Sequence, residues 1–133
     1  MELKLSPREF RRLLDLSYLG NWVLNSYREN ARFQDYDALL SKLFSRFPGL
    51  SQTVNGVTLP SEEYVEGGIH QAISCYEDSV FYGLLAEELA RRDLGYQEIT
   101  EGNCQEMEDS VQAYMKEFSQ FGVDRLYLEE ESS

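Results

Sequence analysis

The sequence is poor in the residue types that carry most enzyme chemistry. Its 133 residues include a single histidine, two cysteines and three prolines. No pair of cysteines or histidines has the spacing of a zinc site, and neither a phosphate-binding loop nor a dinucleotide-binding glycine motif occurs. No motif therefore fixes a reaction, and we predict no catalytic and no cofactor-binding residue. The sequence favours a protein that is not an enzyme, without deciding the question.

Long apolar runs are also absent. No stretch of the chain approaches the roughly 20 apolar residues that span a bilayer. The N-terminal stretch MELKLSPREF lacks the apolar segment of a secretory signal. We therefore predict a cytoplasmic protein that does not enter a membrane. In that compartment Cys75 and Cys104 are expected to be free thiols, and small apolar side chains of this kind are usually buried.

Positive charge is scarce and unevenly placed. Lysine and arginine number 12 against 24 acidic residues, for a net charge of −12. Eight of the basic residues and only six of the acidic ones precede Pro48. An acidic chain is not expected to bind free nucleic acid, because such binding needs a basic surface. Two interpretations remain for the acidic half. It packs beside the basic half within the domain, or it meets a basic partner or the basic half of a second copy.

What the chain does contain is enough apolar material for a core. Apolar residues make up 42% of the sequence and aromatic residues 13%. A chain of this length buries about 68% of its unfolded surface, so it needs no disulfide or metal to fold. We predict one helical domain over residues 1–128, followed by an acidic flexible tail over residues 129–133.

The first helix has a strong start signal. Ser6 can cap it, Pro7 fits its first position, and Glu9 completes a capping box. It is expected to run to about residue 29. Between residues 16 and 24 apolar side chains cover most of its circumference and leave only a narrow polar strip. A helix apolar on most sides is expected at the centre of a fold. The strip consists of Ser17, Asn21, Asn25 and Arg28.

Three amphipathic helices are predicted around the first one, over residues 33–47, 69–94 and about 104–121. Asn55-Gly56 between β-branched residues indicates a small β-hairpin with a type I′ turn. Residues 123–128 could add a short strand. The predicted fold is thus mostly α: a compact four-helix domain with a central apolar helix and a small β-hairpin, with α+β character only at the margins.

One strip of the third helix could bind a divalent metal. Glu66, His70 and Glu77 fall within about 40° of one another on a regular helix. Imidazole and carboxylate ligands together suit Zn, Fe or Mn. The strip depends on Gly67-Gly68, because a helix that begins after the glycines loses Glu66. In so acidic a chain the same clustering also arises by chance, which makes a boundary histidine beside a solvated acidic face the simpler interpretation.

Tyrosines outside the apolar stripes have two interpretations: they form a protein-docking surface beside the acidic residues, or they cover small apolar clusters under the loops. Tyrosine is frequent at interfaces because its ring is apolar and its hydroxyl is polar. With the charge asymmetry, these tyrosines favour a non-catalytic acidic interaction protein, a small regulator, inhibitor or accessory subunit that docks on a basic protein surface. Part of the first helix could also pair two copies as a homodimer. The alternative function is a metal-dependent enzyme or metal-binding protein built on Glu66, His70 and Glu77. The tyrosines are Tyr64, Tyr82, Tyr96 and Tyr127.

Overall fold

A computed structural model of the chain describes residues 1–131. Its backbone contacts group into two compact units, Met1–Ser74 and Cys75–Ser133, which are described here one at a time. The single domain over residues 1–128 stays a prediction. Of the acidic tail, residues 129–131 are exposed and have no regular structure, and residues 132 and 133 lie outside the described part of the chain.

The first unit contains two helices, a hairpin and the start of a third long helix. In chain order the elements are α1 (Pro7–Asn25), α2 (Gln34–Phe44), a 3-10 turn (Pro48–Leu50), β1 (Ser51–Val54), β2 (Val57–Pro60), α3 (Glu62–Tyr64) and a π-helical turn (Val65–Ile69). The second unit holds most of α4 (His70–Asp93) and all of α5 (Cys104–Phe121). The prediction of a mostly α fold with four main helices and a small hairpin is confirmed.

The capping box of α1 forms as predicted. Ser6 Oγ accepts a hydrogen bond from the Glu9 backbone at 3.1 Å, and Glu9 Oε1 accepts one from the Ser6 backbone at 3.0 Å. The hydrogen bond from the Ser6 backbone N–H to the charged carboxylate lowers the pKa of Glu9. The helix ends at Asn25, earlier than residue 29, because the Asn25 side chain bonds to both backbone groups of Phe33 and turns the chain toward α2.

The hairpin also forms where its sequence predicts. β1 and β2 pair antiparallel, with Val54 opposite Val57 at the turn. Asn55 and Gly56 have φ values of 51° and 78°, the left-handed geometry that a type I′ turn requires at both central positions. The hairpin packs on α2, and this contact supplies the support that a two-stranded sheet needs in water.

The core of the first unit centres on three buried side chains, Leu14, Phe44 and Tyr64. The rings of Phe44 and Tyr64 meet edge to face, with centroids 4.9 Å apart, an arrangement that aromatic pairs prefer. Partly buried apolar side chains from α1, α2 and the segments on either side of the hairpin surround this cluster. They are Phe10, Tyr18, Leu40, Leu43, Phe47, Leu50, Val65 and Ile69.

The covered side of α1 differs from the sequence-based expectation. Asn21 and Asn25, assigned to an exposed polar strip, are buried, whereas Leu16 and Val23 are 68% and 69% exposed. Hydrogen bonds to the loop and to α2 hold the two asparagines inside. The apolar side chains on the opposite face of α1 are therefore left at the surface.

The second unit has a smaller core. Ala86 and Ala90 of α4 and Phe118 of α5 are buried, and the rings of Tyr82 and Phe118 lie 5.5 Å apart. α4 ends at Asp93, close to the predicted residue 94, and Gly95 has a φ of 67°, the left-handed conformation predicted for the residue that caps the helix. The strand predicted over residues 123–128 does not form, since these residues follow α5 as a turn and an extended segment without a partner strand. Within residues 1–131, no helix has the length and apolarity needed to cross a membrane.

Candidate functional site

His70 begins α4 and lies against two aromatic side chains of α1. Its Nε2 atom is 2.6 Å from the hydroxyl of Tyr18. The Trp22 ring meets the imidazole edge to face, with centroids 4.7 Å apart. Among residues 1–131, Tyr18 is the one hydrogen-bond partner of His70. Burial raises the pKa of the Tyr18 hydroxyl above its ordinary value of 10.0.

A break in the helix places His70 against α1. The turn before it, Val65–Ile69, is π-helical, and Gly68 has a φ of 117° that other residues rarely adopt. Single π-helical turns inside helices are frequent at functional sites. The backbone changes direction at Gly68, so α3 and α4 are two helices and not one.

The buried Tyr64 of α3 connects this break to the basic end of α1. Its hydroxyl donates to Asp15 at 2.8 Å, and Arg11 lies over its ring at 4.9 Å from the centroid. Arg11 also pairs with Asp15 at 2.5 Å. Burial and the hydrogen bond to Asp15 raise the pKa of Tyr64 well above its ordinary value. The group anchors α3 on α1.

The three residues of the predicted metal strip do not all lie in one regular helix. Because Gly68 interrupts the helical register, Glu66 and His70 no longer share one regular helix. Glu77 lies two turns further along α4, in Cys75–Ser133. Within residues 1–131, no group of three or more histidine, cysteine or acidic side chains has a metal-binding arrangement. Metal binding by Glu66, His70 and Glu77 stays a prediction, which metal analysis of untagged wild-type and His70→Ala protein would test.

A buried polar network joins α1 to α2. The Asn25 amide donates to Asn21 Oδ1, to Asp37 Oδ1 and to the Phe33 carbonyl, at 2.8 to 3.2 Å. Arg32 donates two hydrogen bonds of 2.8 Å to the Asp37 carboxylate. This bidentate pair holds the pKa of Asp37 at about 2, against its partial burial. No sequence pattern predicts this network, because its members are spread over a helix, a loop and a second helix.

A cleft of about 760 Å³ lies between this network and the hairpin. Tyr18, Asn21, Arg32 and Asp37 line one wall, and hairpin residues 56–60 line the other. The arginine is neutralised by Asp37, and among residues 1–131 every buried side-chain polar atom has a hydrogen-bond partner. A network satisfied in this way supports the fold, and it leaves no free charge in the cleft to select a ligand.

Both cysteines are at the surface. The prediction that Cys75 and Cys104 are buried is wrong, and both are exposed free thiols. Cys75 follows the buried Ile73 by two positions on α4 and so faces away from it. Cys104 is the first residue of α5, where side chains are poorly covered.

The acidic charge of the chain is concentrated in the second unit. Residues 75–133 contain fifteen acidic and four basic residues, whereas residues 1–74 contain nine and eight. Three of the four basic residues are paired inside the unit. Arg91 pairs with Glu88, Arg92 with Asp93 and Arg125 with Glu117. These pairs involve three of the four cations of the unit, and most of its acidic residues therefore have no cation of the unit to pair with.

The outer face of α4, defined by Tyr76, Val80 and Leu84, adds exposed apolar surface beside those acids. The three residues recur every four positions and so share one side of the helix. Tyr76 is 66% and Leu84 59% exposed. Glu77 and Glu87 fall on the same side at 100° per residue, and both are exposed. Apolar and acidic side chains therefore lie together on one side of α4, in the part of the helix that follows the buried Ile73 on that same side.

The tyrosines predicted to mark a docking surface divide into two groups. Tyr96 and Tyr127 are exposed as expected, but Tyr64 lies in the core and Tyr82 packs on Phe118. Tyr76, which its spacing assigned to a core stripe, is exposed. Periodicity marks a face as apolar, but it does not tell whether another element covers that face.

Comparisons with known proteins provide no relative for this chain: no protein-family model, no curated protein and no solved structure matches it.

Proposed function

We propose that the chain is a non-catalytic, cytoplasmic interaction protein that docks on a basic surface of another protein through the outer face of α4. The observation that carries this proposal is the pattern on that face. Tyr76 and Leu84 are more than half exposed, and Glu77 and Glu87 lie between and beside them. Apolar anchors with charges at their rim are typical of protein interfaces.

The charge of the second unit supports a partner with a basic surface. Fifteen acidic residues against four basic ones create a negative field around α4, and three of the four cations are already paired within the unit. Such a field attracts a positively charged surface and speeds the encounter. A basic protein surface with one or two apolar pockets fits both the charges and the exposed side chains.

A salt-dependent binding measurement tests the proposal. The probe is a synthetic amphipathic helix of lysine and leucine, titrated against the full chain at low and at physiological ionic strength. We expect binding that weakens as salt rises, because screening reduces attraction between exposed charges. Tyr76→Ala should weaken binding by about tenfold or more, as expected for an aromatic anchor.

A matched pair of variants separates a specific face from bulk charge. Glu77→Lys with Glu87→Lys reverses two charges on the outer face of α4, and Glu129→Lys with Glu130→Lys makes the same change in net charge in the exposed C-terminal segment. We expect the first pair to weaken binding at least tenfold and the second to change it less than twofold. Equal losses in both pairs, or no binding at low salt, would refute docking through this face.

A further inference from the structure

An apolar surface on the first unit is distinct from the outer face of α4. We call it the α1–α2 apolar face. It consists of Leu16, Gly20 and Val23 of α1, Tyr27 one turn further on, and Tyr36 and Leu39 of α2. The spacings of four and three residues place Leu16, Gly20 and Val23 on one side of α1, and Tyr27 lies in the turn that follows the helix. Their large side chains are 44% to 69% exposed.

We infer that this face is the contact between two copies of the chain, which pair with their α1 helices antiparallel about a twofold axis near Gly20. A twofold contact uses the same patch on both copies, so one self-complementary face suffices. The inference is independent of the proposed docking through α4, because the two surfaces share no residue.

The exposed area is sufficient for a dimer of modest strength. The exposed fractions of the five large side chains add to about three whole side chains. At about 200 Å² each this is on the order of 600 Å² per copy. Two copies together would bury about 1,200 Å², the lower end of specific interfaces. An area of this size is at the upper end of the largest apolar patches of typical monomers, and such patches are often functional.

Gly20 gives the face a groove that a second copy can fill. A shallow cavity of about 170 Å³ lies between α1 and α2, with Gly20, Leu24 and Leu39 among its walls. No atom lies within 4 Å of the position that a Cβ on Gly20 would take, so that space is open. In an antiparallel pair, Leu16 or Val23 of the second copy lies near this groove, and the missing side chain lets the two helices approach.

Charges at the two ends of the face favour the antiparallel arrangement. Arg12 precedes Leu16 by one turn, and its side chain is 69% exposed with only a 3.7 Å contact to Asp15. Asp35 precedes Leu39 by one turn on α2, beside the C-terminal half of α1, as the bonds from Asn21 and Asn25 to Asp37 show. Antiparallel pairing brings Arg12 of each copy toward an end of the other copy that holds Asp35 as well as Arg28, which lies over the Tyr27 ring, whereas parallel pairing sets each of these charges against the same charge of the other copy.

Sedimentation of the full chain over a range of concentrations tests the inference. We expect the mass to rise toward twice the 15.4 kDa of one chain. Leu16→Glu should raise the dissociation constant of the dimer at least about tenfold. Leu16 is exposed, so the variant should keep the far-ultraviolet circular dichroism of the wild type. A mass of 15.4 kDa at every concentration up to about 1 mM, or a dimer that survives Leu16→Glu, overturns the inference.

Leu84→Glu on α4 is the matched control, because it places the same charge at a similarly exposed leucine outside the α1–α2 apolar face. Leu84→Glu should leave the dimer intact and weaken binding of the basic probe. Leu16→Glu should weaken the dimer and leave binding of the basic probe unchanged.

Exchange of the charges at Arg12 and Asp35 tests the orientation of the two copies. Arg12→Glu and Asp35→Arg should each weaken the dimer several-fold, and the double variant should recover most of the loss. If the loss of dimer affinity in the double variant equals the sum of the losses in the two single variants, antiparallel pairing is excluded.

Discussion

The hydroxyl of Tyr18 lies 2.6 Å from Nε2 of His70, a side chain 52 positions further along the sequence. This bond joins the middle of α1 to the first residue of α4, at the point where Gly68 breaks the helix. The single histidine of the chain is therefore held by an aromatic hydroxyl and the edge of Trp22. Its role in the described structure is to fix the start of α4.

Removing the Tyr18 hydroxyl tests that role. We expect Tyr18→Phe to lower the free energy of unfolding by about 1 kcal/mol, since the variant loses one hydrogen bond and keeps the ring. Urea unfolding at neutral pH measures the change. Tyr36→Phe is the control, because Tyr36 is 44% exposed and its change should stay within about 0.5 kcal/mol. Equal effects of the two variants would argue against a structural role for the bond.

Asn25 should be among the most sensitive positions in the first unit. Its side chain is fully buried and forms hydrogen bonds with Asn21, with Asp37 and with both backbone groups of Phe33. Asn25→Ala leaves several of these groups buried without partners, so we expect a loss of about 2 to 4 kcal/mol in thermal or urea unfolding. The exposed Asn30→Ala should cost less than about 0.5 kcal/mol. If Asn25→Ala changes the free energy of unfolding only slightly, water has replaced the hydrogen bonds of the lost amide.

Asp37 should make the stability depend on acid. Its carboxyl has a pKa of about 2 in the folded chain, below the ordinary value of 3.8, chiefly because Arg32 hydrogen-bonds to it. A lowered folded pKa stabilises the fold above the unfolded pKa, and this contribution is lost as pH falls through the folded pKa. The contribution of Asp37 should therefore be full above about pH 4 and disappear by about pH 2.

The variant Asp37→Asn isolates that contribution. At pH 7 we expect it to lower the free energy of unfolding by about 1 to 2 kcal/mol, because the lost bonds involve charges that are partly screened by solvent. The gap between wild type and variant should narrow as pH falls from 4 toward 2. Glu98→Gln, at an exposed position, should show no such narrowing. If the difference in the free energy of unfolding between wild type and Asp37→Asn does not change with pH, the loss comes from packing and not from the charge of Asp37.

Gly67 and Gly68 form a natural pair for testing the helix break. Neither has an atom within 4 Å of the position of an added Cβ, but only Gly68 has a positive φ, 117°. We expect Gly68→Ala to cost about 1 to 3 kcal/mol through backbone strain. Gly67→Ala should be neutral or slightly stabilising. If thermal denaturation shows similar effects for both, α3 and α4 would have to join without the break.

Both thiols should react in the folded protein. Cys75 and Cys104 are exposed, so Ellman's reagent should modify two groups per chain without denaturant, at rates close to those of a free thiol. Cys75→Ser and Cys104→Ser should each leave one reactive group. A thiol that reacts only after unfolding would contradict its exposed position.

The local elements can be predicted from the amino-acid sequence, because the signals for each lie within a few residues of one another. The capping box at Ser6 and Glu9, the turn at Asn55-Gly56 and the ends of α4 and α5 at glycines all follow from neighbouring side chains and backbone geometry. The same holds for the acidic character of the second half. These features need no knowledge of distant contacts.

Tertiary structure decided which faces are covered and which distant residues meet. Asn21 and Asn25 are buried because α2 and the loop before it supply partners, and a helix pattern alone assigns asparagine to the outside. Leu16, Tyr76 and Leu84 are exposed because nothing in the described structure covers their faces. His70 meets Tyr18 and not Glu66 because Gly68 turns the chain. Periodicity reports the character of a face, whereas coverage depends on contacts between elements far apart in the sequence.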